Sequence, residues 1–142
     1  MTSGNPSSAS KDADAAALHG LTLQASLTVK DIQKSLSWYV DVLGFTVSQH
    51  HEREGILRAI SLRAGDVQLL IALDDGARGV DRVKGEGFSL QITTDDDIDD
   101  VAARIKRAGG VLITEPATMP WGARAFRVHD PDGFKLTIST PR

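Results

Sequence analysis

One pattern of strands around a single helix occurs twice in this chain, and it constrains the fold more than any other feature. In the first copy, an alternating apolar strand at residues 21–29 precedes a helix that Asp31 caps and Gly44 ends, and three extended segments follow. Residues 88–139 repeat the same order. Neither copy alone can bury both its helix and one face of its sheet. The sequence therefore predicts an α+β fold in which two tandem β-α-β-β-β repeats form a curved mixed sheet around a cavity.

Turn residues and helix caps set the expected bounds of the elements. Three consecutive aspartates, residues 95–97, meet the start of the second helix, where carboxylates stabilise the positive end of the helix dipole. We interpret them as capping residues, because they lack the spacing of a calcium-binding loop. The predicted strands are residues 21–29, 45–53, 56–63 and 67–73 in the first copy and 88–92, 111–115, 123–128 and 134–139 in the second, with helices at 31–43 and 98–108.

Length and composition predict a single domain that follows a short tail. The chain has 142 residues, of which 41% are hydrophobic and 25% charged, as in ordinary globular domains. Residues 1–20 are rich in Ser, Ala, Gly and Asp, so we expect a disordered tail there. Residues 21–142 are expected to form the domain, with repeats at about 21–75 and 87–140. No signal peptide or membrane-spanning segment is visible, which predicts a cytoplasmic protein without a membrane partner.

Charge and cysteine content exclude several classes of function. The formal net charge is -3, and the Lys and Arg residues are scattered, which argues against a nucleic-acid partner. The absence of cysteine excludes disulfides, thiolate metal sites and cysteine nucleophiles. It is also compatible with a reducing cytosol.

Several short motifs lie at matching places in the two copies. In the first copy they are Val29-Lys30-Asp31-Ile32, Trp38-Tyr39 and Leu43-Gly44-Phe45; in the second they are Trp121-Gly122-Ala123-Arg124 and residues 126–133, Phe-Arg-Val-His-Asp-Pro-Asp-Gly. In this combination the chain resembles the vicinal oxygen chelate superfamily, which includes glyoxalases, bleomycin resistance proteins and extradiol dioxygenases, over nearly all of residues 21–141. The resemblance is specific for the fold and less so for function, because one fold hosts many chemistries.

The enzymes of that superfamily hold a divalent metal, and the resemblance implies where its ligands would lie. Two ligands come from the first strands of the repeats and two from the last strands, as His, Gln or Glu side chains. The equivalent positions in this chain are Gln24, Leu70, Gly87 and Thr137. Leu70 and Gly87 have no donor atom in their side chains, and Thr137 would be a poor ligand. We therefore expect no metal and no other cofactor, while a divalent metal held by Gln24 and unconventional ligands stays open as the alternative.

Neither a shift of register nor the histidines restores a metal site. A shift of one residue brings Gln68 or Gln91 towards the cavity without adding a set of His and carboxylate ligands. His50 and His51 are adjacent on a strand and point to opposite faces, so they cannot easily chelate one ion. His129 precedes a turn and is interpreted as a turn residue. The sequence also has no Ser-His-Asp grouping that stands out, so catalytic residues are unknown.

The hypothesis for function is a metal-independent protein that binds a small molecule, of which an antibiotic is one candidate. Aromatic side chains with a few polar groups would form such a site, and an Arg would bind an anionic group. Trp121 and Arg124 are favoured because they lie at a Pro-flanked loop, whereas the other aromatic candidates are explained at least as well as core residues. The candidate ligand-binding residues are Trp121, Arg124, Gln24, Trp38, Tyr39 and Phe126.

Two other functions and one assembly follow from the same resemblance. Glyoxalase and extradiol dioxygenase activities are disfavoured because both need the metal as a Lewis acid. A lyase, isomerase or dioxygenase with unconventional ligands, or without a metal, is the alternative. A regulatory module whose cavity is filled by its own side chains is the third reading. The resemblance also implies a homodimer, since members of the superfamily pair repeats within or between chains.

Overall fold

The computed structural model describes residues 17–79 and 81–141, and in it each repeat forms its own four-stranded sheet. The first sheet has the order β1-β4-β3-β2, with β1 (Ala25–Val29), β2 (Thr46–Arg53), β3 (Ile56–Ala64) and β4 (Val67–Leu73). The second has the order β5-β8-β7-β6, with β5 (Leu90–Thr93), β6 (Leu112–Thr118), β7 (Arg124–His129) and β8 (Lys135–Ser139). In both, the first strand runs parallel to the fourth and the other neighbours are antiparallel. The tandem fold is confirmed, as two separate sheets within the described residues.

The first helix begins and ends as predicted but changes its geometry halfway. Asp31 caps α1 (Ile32–Ser37) through a hydrogen bond from a backbone N–H of the first turn to its carboxylate. The helix continues without a break as a π-helical segment (Trp38–Leu43), in which the N–H of Gly44 donates to the carbonyl of Tyr39 at 3.0 Å. Gly44 ends the helix with a φ of +101°, a conformation that favours glycine. The caps were predicted correctly, and the wider π turn was not.

The second helix, α2 (Ile98–Arg107), confirms that the aspartates cap a helix. The carboxylate of Asp97 accepts a hydrogen bond from the backbone N–H of Asp100 at 3.0 Å. At the other end, Arg104 reaches the first repeat and donates to the carbonyl of Leu43 at 3.0 Å. Among the described residues no helix combines the length and the apolar character needed to cross a bilayer.

The first strand of the chain is shorter than its apolar alternation predicted. In the parallel register Ala25 lies opposite Leu69, so residue 21 would lie opposite Gly65, in the turn between β3 and β4, where there is no strand to pair with. Leu21 is accordingly 97% exposed, and Leu23, which would lie opposite Val67 at the first position of β4, is 97% exposed as well. Residues 17–24 form no helix or strand, and the rest of the expected tail, up to residue 16, lies outside the described residues.

The helices share one hydrophobic core with one face of each sheet. Along β8, Leu136 and Ile138 are buried while Thr137 between them is only partly buried. The same alternation runs through β1 and β4, with α1 packed against β4 and α2 packed against β6 and β7. Each sheet therefore turns its apolar face to the helices and leaves its opposite, more polar face open. The largest buried side chains are Tyr39, Phe126, Leu27, Ile60, Leu62, Ile71, Ile105, Leu136 and Val29.

The Asp-Pro-Asp-Gly turn between β7 and β8 joins the second repeat to the first. The hydroxyl of Tyr39 donates to Oδ2 of Asp130 at 2.8 Å in the interior. The backbone N–H of Lys30, just before α1, donates to the carboxylate of Asp132 at 2.9 Å. Burial raises the pKa of Asp130, although the hydrogen bonds from Tyr39 and from two backbone N–H groups oppose that rise. Hydrogen bonds from Tyr39 and from the backbone of Lys30 thus fix this turn against the first repeat.

A buried ion cluster lies beside this turn. Nζ of Lys84, in the loop between the repeats, lies 3.0 Å from a carboxylate oxygen of Asp74 and 3.2 Å from one of Asp132. The three side chains are 5%, 2% and 8% exposed. Hydrogen bonds from the N–H of Gly76 and from Lys84 lower the pKa of Asp74. Lys84 therefore links the loop to a carboxylate of each repeat.

Candidate functional site

The open face of the second sheet forms a cavity of about 440 Å³. Side chains that alternate with the buried ones along β5, β7 and β8 form its floor, and β6 with the loop that follows it forms its wall. Small-molecule sites in proteins span roughly 300–1,000 Å³, so a cavity of this size can hold a small ligand. The lining residues are Ser89, Gln91, Thr114, Glu115, Ala117, Met119, Trp121, Ala125, Phe126, Arg127, Thr137 and Ser139.

Arg127 stands in the middle of the cavity floor. It lies opposite Thr114 on β6 and Thr137 on β8, and Thr137 in turn lies opposite Gln91 on β5. Its backbone N–H donates to Oγ1 of Thr114 at 3.0 Å, which ties the strand to β6 at this point. Within residues 17–79 and 81–141 its guanidinium makes no hydrogen bond or ion pair. The floor therefore offers one unpaired cation among neutral hydroxyl and amide groups.

Trp121 lies at the rim of the cavity, in the loop between β6 and β7, and is 55% exposed. The loop is fixed by backbone hydrogen bonds from Met119 to the carbonyl of Ala123 at 2.7 Å and from Gly122 to the carbonyl of Met119 at 2.9 Å. Gly122 has a φ of +101°, so the turn that presents the indole needs a glycine. Trp121 is thus the sequence-based candidate that lies at the cavity with its ring accessible.

Glu115 is the one carboxylate among the residues that line the cavity. Its Oε1 lies 2.6 Å from Nζ of Lys106, at the end of α2. Both side chains are about half exposed or more, at 67% and 49%. Because Lys106 compensates the charge of Glu115, the electrostatic character of the cavity is set by Arg127.

Arg124, which the sequence favoured as a ligand-binding residue, is not among the residues that line this cavity. Its Nε and one terminal nitrogen bind the two carboxylate oxygens of Asp99 on α2, at 2.7 and 2.8 Å. The hydrogen bond with Asp99 raises the pKa of Arg124 and lowers that of Asp99. Alternation along β7 explains the placement, since Arg124 has the same parity as the core residue Phe126 while Arg127 has the opposite parity. That parity could have identified Arg127 from the sequence.

The other aromatic candidates belong to the core. Tyr39 and Phe126 are 0% exposed. Tyr39 is not among the residues that line the cavity, and Phe126 borders it from within the core. Trp38 is partly buried and packs edge-on against Tyr39, with ring centroids 4.8 Å apart. For these three residues, the structure agrees with the alternative interpretation from the sequence, which assigned them to the core.

Gln24 lies away from this cavity, in a cleft of about 450 Å³ between β1 with β4 and β5 with β8. Gln68 and Gln91 line the same cleft, and Gln91 also lines the cavity on the second sheet. Gln24 is therefore connected to the candidate site only through this neighbouring cleft.

Strand pairing corrects one of the positions equivalent to metal ligands. Ser26 lies opposite Leu70, and Gln91 lies opposite Thr137, so counting two residues back from each gives Gln24 in the first repeat and Ser89 in the second. Gly87 lies two residues too early. Phe88, which the sequence predicts as the first apolar residue of this strand, precedes β5 and is 47% exposed.

The corrected positions do not fit a divalent metal. Gln24, Ser89 and Thr137 offer an amide and two hydroxyls, and Leu70 offers no donor, whereas such ions take imidazole or carboxylate ligands. In the part of the chain that the structure describes, no three His, Asp or Glu side chains group so as to hold a metal ion.

Comparison with known proteins identifies relatives of the whole domain. The sequence profile of the Glyoxalase/Bleomycin resistance protein/Dioxygenase superfamily matches residues 21–138. A protein of Vibrio cholerae named probable lactoylglutathione lyase is 30% identical over 121 residues, which cover 82% of this chain and 87% of the relative. A Synechocystis protein of the same name is 28% identical over 121 residues, covering 82% of this chain and 92% of the relative.

Solved structures share the fold. A member of the same superfamily from Sphaerobacter thermophilus has a TM-score of 0.64 and 25% identity, over 87% of this chain and 98% of that one. TioX from Micromonospora sp. ML1 has a TM-score of 0.67 and 20% identity, over 86% of this chain and 97% of that one.

Proposed function

Because this chain belongs to the Glyoxalase/Bleomycin resistance protein/Dioxygenase superfamily, we propose that it binds a small molecule on the open face of its second sheet, without a metal. The observation that carries the proposal is the cavity of about 440 Å³ with an accessible indole at its rim and hydrogen-bonding groups on its floor. Trp121 offers a flat apolar surface that loses little side-chain entropy on binding. Ser89, Thr137 and Ser139 offer hydroxyls that can fix the orientation of a ligand.

Metal independence is supported by the chemistry of the donor positions. Where superfamily enzymes would need imidazole or carboxylate, this chain has Gln24, Leu70, Ser89 and Thr137. A hydroxyl that is not deprotonated is a weak ligand, and leucine is none. Ligand recognition is therefore left to hydrogen bonds and apolar contact, and a sequestered antibiotic is one ligand of that kind.

An enzyme is the second candidate, because two relatives carry the name probable lactoylglutathione lyase. Such an activity here would need a metal held by Gln24 and unconventional ligands, or a reaction without a metal. Elemental analysis of tag-free protein purified without chelators separates the candidates. Near-stoichiometric nickel, zinc, iron or manganese would favour the enzyme, whereas metal-free protein favours the binding function.

The proposal includes a homodimer. β1 pairs only with β4, and β5 only with β8, so each has one edge without a strand partner among the described residues. Leu21 and Leu23 precede β1 and are 97% exposed, although their alternation is that of a strand with one buried face. A second copy of the chain would cover both features.

Light scattering tests the dimer and should give twice the mass of one chain. The double variant Leu21→Asp, Leu23→Asp should give a lower mass than the parent protein. A monomeric parent protein would refute this part of the proposal.

Binding itself can be tested with a neutral aromatic dye, N-phenyl-1-naphthylamine, whose fluorescence rises in apolar surroundings. We expect the protein to bind it and Trp121→Ala to weaken binding by about tenfold, the size of one good aromatic contact. Val111→Ala is the matched control, because Val111 is 76% exposed and lies outside the cavity. Equal binding by the parent, Trp121→Ala and Val111→Ala would refute the assignment of the site.

A further inference from the structure

We propose that the natural ligand is a flat molecule with one negatively charged group, a carboxylate or an equivalent oxyanion, and that Arg127 selects for this charge. The inference rests on the proposed function and deepens it, because it uses the same cavity. It concerns the charge of the ligand, which the fold does not specify.

The charges around the cavity point to an anion. Arg127 is the single cation among the lining residues, and its guanidinium is unpaired within the described part of the chain. The single lining carboxylate, Glu115, is already paired with Lys106 at 2.6 Å. The remaining polar lining groups are neutral. A ligand with a negative charge gains a partner for Arg127, whereas a cationic ligand meets no free carboxylate.

The position of Arg127 on the sheet determines where the negatively charged group of the ligand would bind. It lies between Thr114 and Thr137 in the strand register, and its backbone is tied to β6 by the 3.0 Å hydrogen bond to Thr114. The planar guanidinium presents paired N–H donors that match the two oxygens of a carboxylate. The hydroxyl of Thr137 lines the same floor and can donate to the same oxyanion. Trp121 at the rim then faces the apolar body of the ligand.

Comparison with Arg124 shows why only one of the two arginines of β7 can act in this way. The two lie three residues apart and therefore on opposite faces of the strand. Arg124 is engaged by both carboxylate oxygens of Asp99. Arg127 has no such partner among the described residues and lines the cavity.

Two dyes that differ by one charged group test the inference. 1-Anilinonaphthalene-8-sulfonate carries a sulfonate on the framework of N-phenyl-1-naphthylamine, and binding of each is measured by fluorescence titration. We expect the parent protein to bind the sulfonate dye about fivefold more tightly than the neutral dye, or better. Arg127→Gln should remove that preference, because it weakens binding of the sulfonate dye more than binding of the neutral dye. Arg107→Gln, which removes an exposed cation on α2 outside the cavity, is the control and should change neither affinity.

The outcomes separate the two proposals. If both dyes bind and Trp121→Ala weakens both, but Arg127→Gln leaves the preference for the sulfonate dye intact, the charge selection by Arg127 is wrong and the site stands. If neither dye binds, or if binding ignores Trp121→Ala, the site and the inference both fall. A parent protein that binds the neutral dye as tightly as the sulfonate dye also overturns the inference. Circular dichroism of each variant shows that the fold is retained.

Discussion

The hydroxyl of Tyr39 and the carboxylate of Asp130, which are 91 positions apart in the chain, share a hydrogen bond of 2.8 Å in the interior. Tyr39 is fully buried in the π-helical segment of the first repeat, and Asp130 opens the last hairpin turn of the second. A carboxylate with little access to water depends on such donors. The geometry of the second repeat therefore depends on a side chain of the first.

Replacing Tyr39 by Phe should destabilise the protein by about 1–3 kcal/mol, because an oxygen of Asp130 is left buried without its donor. The free energy of unfolding in urea measures this loss. Ser48→Ala is a control that also removes a hydroxyl donor, one that reaches the carbonyl of Ser61 at an exposed position. A loss for Tyr39→Phe no greater than that for Ser48→Ala would show that the buried bond contributes little.

The cost of Tyr39→Phe should shrink in acid. Burial raises the pKa of Asp130 above its ordinary value of 3.8, and the bond from Tyr39 opposes the rise, so the variant raises this pKa further. A carboxyl with a raised pKa in the folded state stabilises that state while protonated, and this stabilisation is lost as the pH rises through the folded-state pKa. Parent and variant should therefore differ less at about pH 3.5 than at about pH 7. A difference that is constant between these pH values would contradict the coupling.

Removing the buried cation of the ion cluster should lower the melting temperature strongly. Lys84→Met leaves Asp132 without its ion-pair partner and Asp74 with Arg82 alone, at 2.8 Å, and we expect Tm to fall by roughly 10 °C or more. Lys30→Met is the matched control, because the Lys30–Asp81 pair is 54% and 84% exposed. Its Tm should change by less than about 2 °C. Equal shifts for the two variants would mean that the cluster is effectively solvated.

Arg124→Gln should leave the affinity for the sulfonate dye unchanged, in contrast to Arg127→Gln. The guanidinium of Arg124 is held by Asp99 and does not line the cavity. Fluorescence titration of both variants beside the parent provides the measurement. Weaker binding by Arg124→Gln would return this residue to the role that the sequence first suggested for it.

Added divalent ions should not stabilise the protein. The positions equivalent to metal ligands, Gln24, Leu70, Ser89 and Thr137, lack imidazole and carboxylate, so nickel, zinc or manganese has no set of donors that favours the folded state. Melting curves of chelator-treated protein with and without each ion should coincide. A reproducible rise of Tm with one ion, reversed by the chelator, would contradict metal independence.

Features written locally in the sequence could be predicted. Asp31 and Asp97 cap the two helices as expected, because a cap needs a short polar side chain at one position. Alternation in β7 also places Arg124 and Phe126 on one face and Arg127 on the other.

Features that depend on pairing or on distant segments could not be predicted in the same way. Ser89 is not predicted from the sequence as the equivalent of a metal ligand. The reason is that Thr94 lies where the first repeat has the apolar Val29, so the apolar alternation ends two residues earlier and places the expected ligand two residues too early. Lys84 meets Asp74 and Asp132 only in the folded chain, and no spacing in the sequence marks that encounter.

On the ribosome, Lys30 and Tyr39 leave the exit tunnel long before Asp132 and Asp130, their partners 102 and 91 residues further along. The first repeat therefore emerges with an unfinished core and with apolar surface that chaperones can bind. Contacts between such distant residues also form slowly, because the long intervening loop must close first. Although the architecture is duplicated, we expect the nascent first half to complete its folding only when the second half arrives.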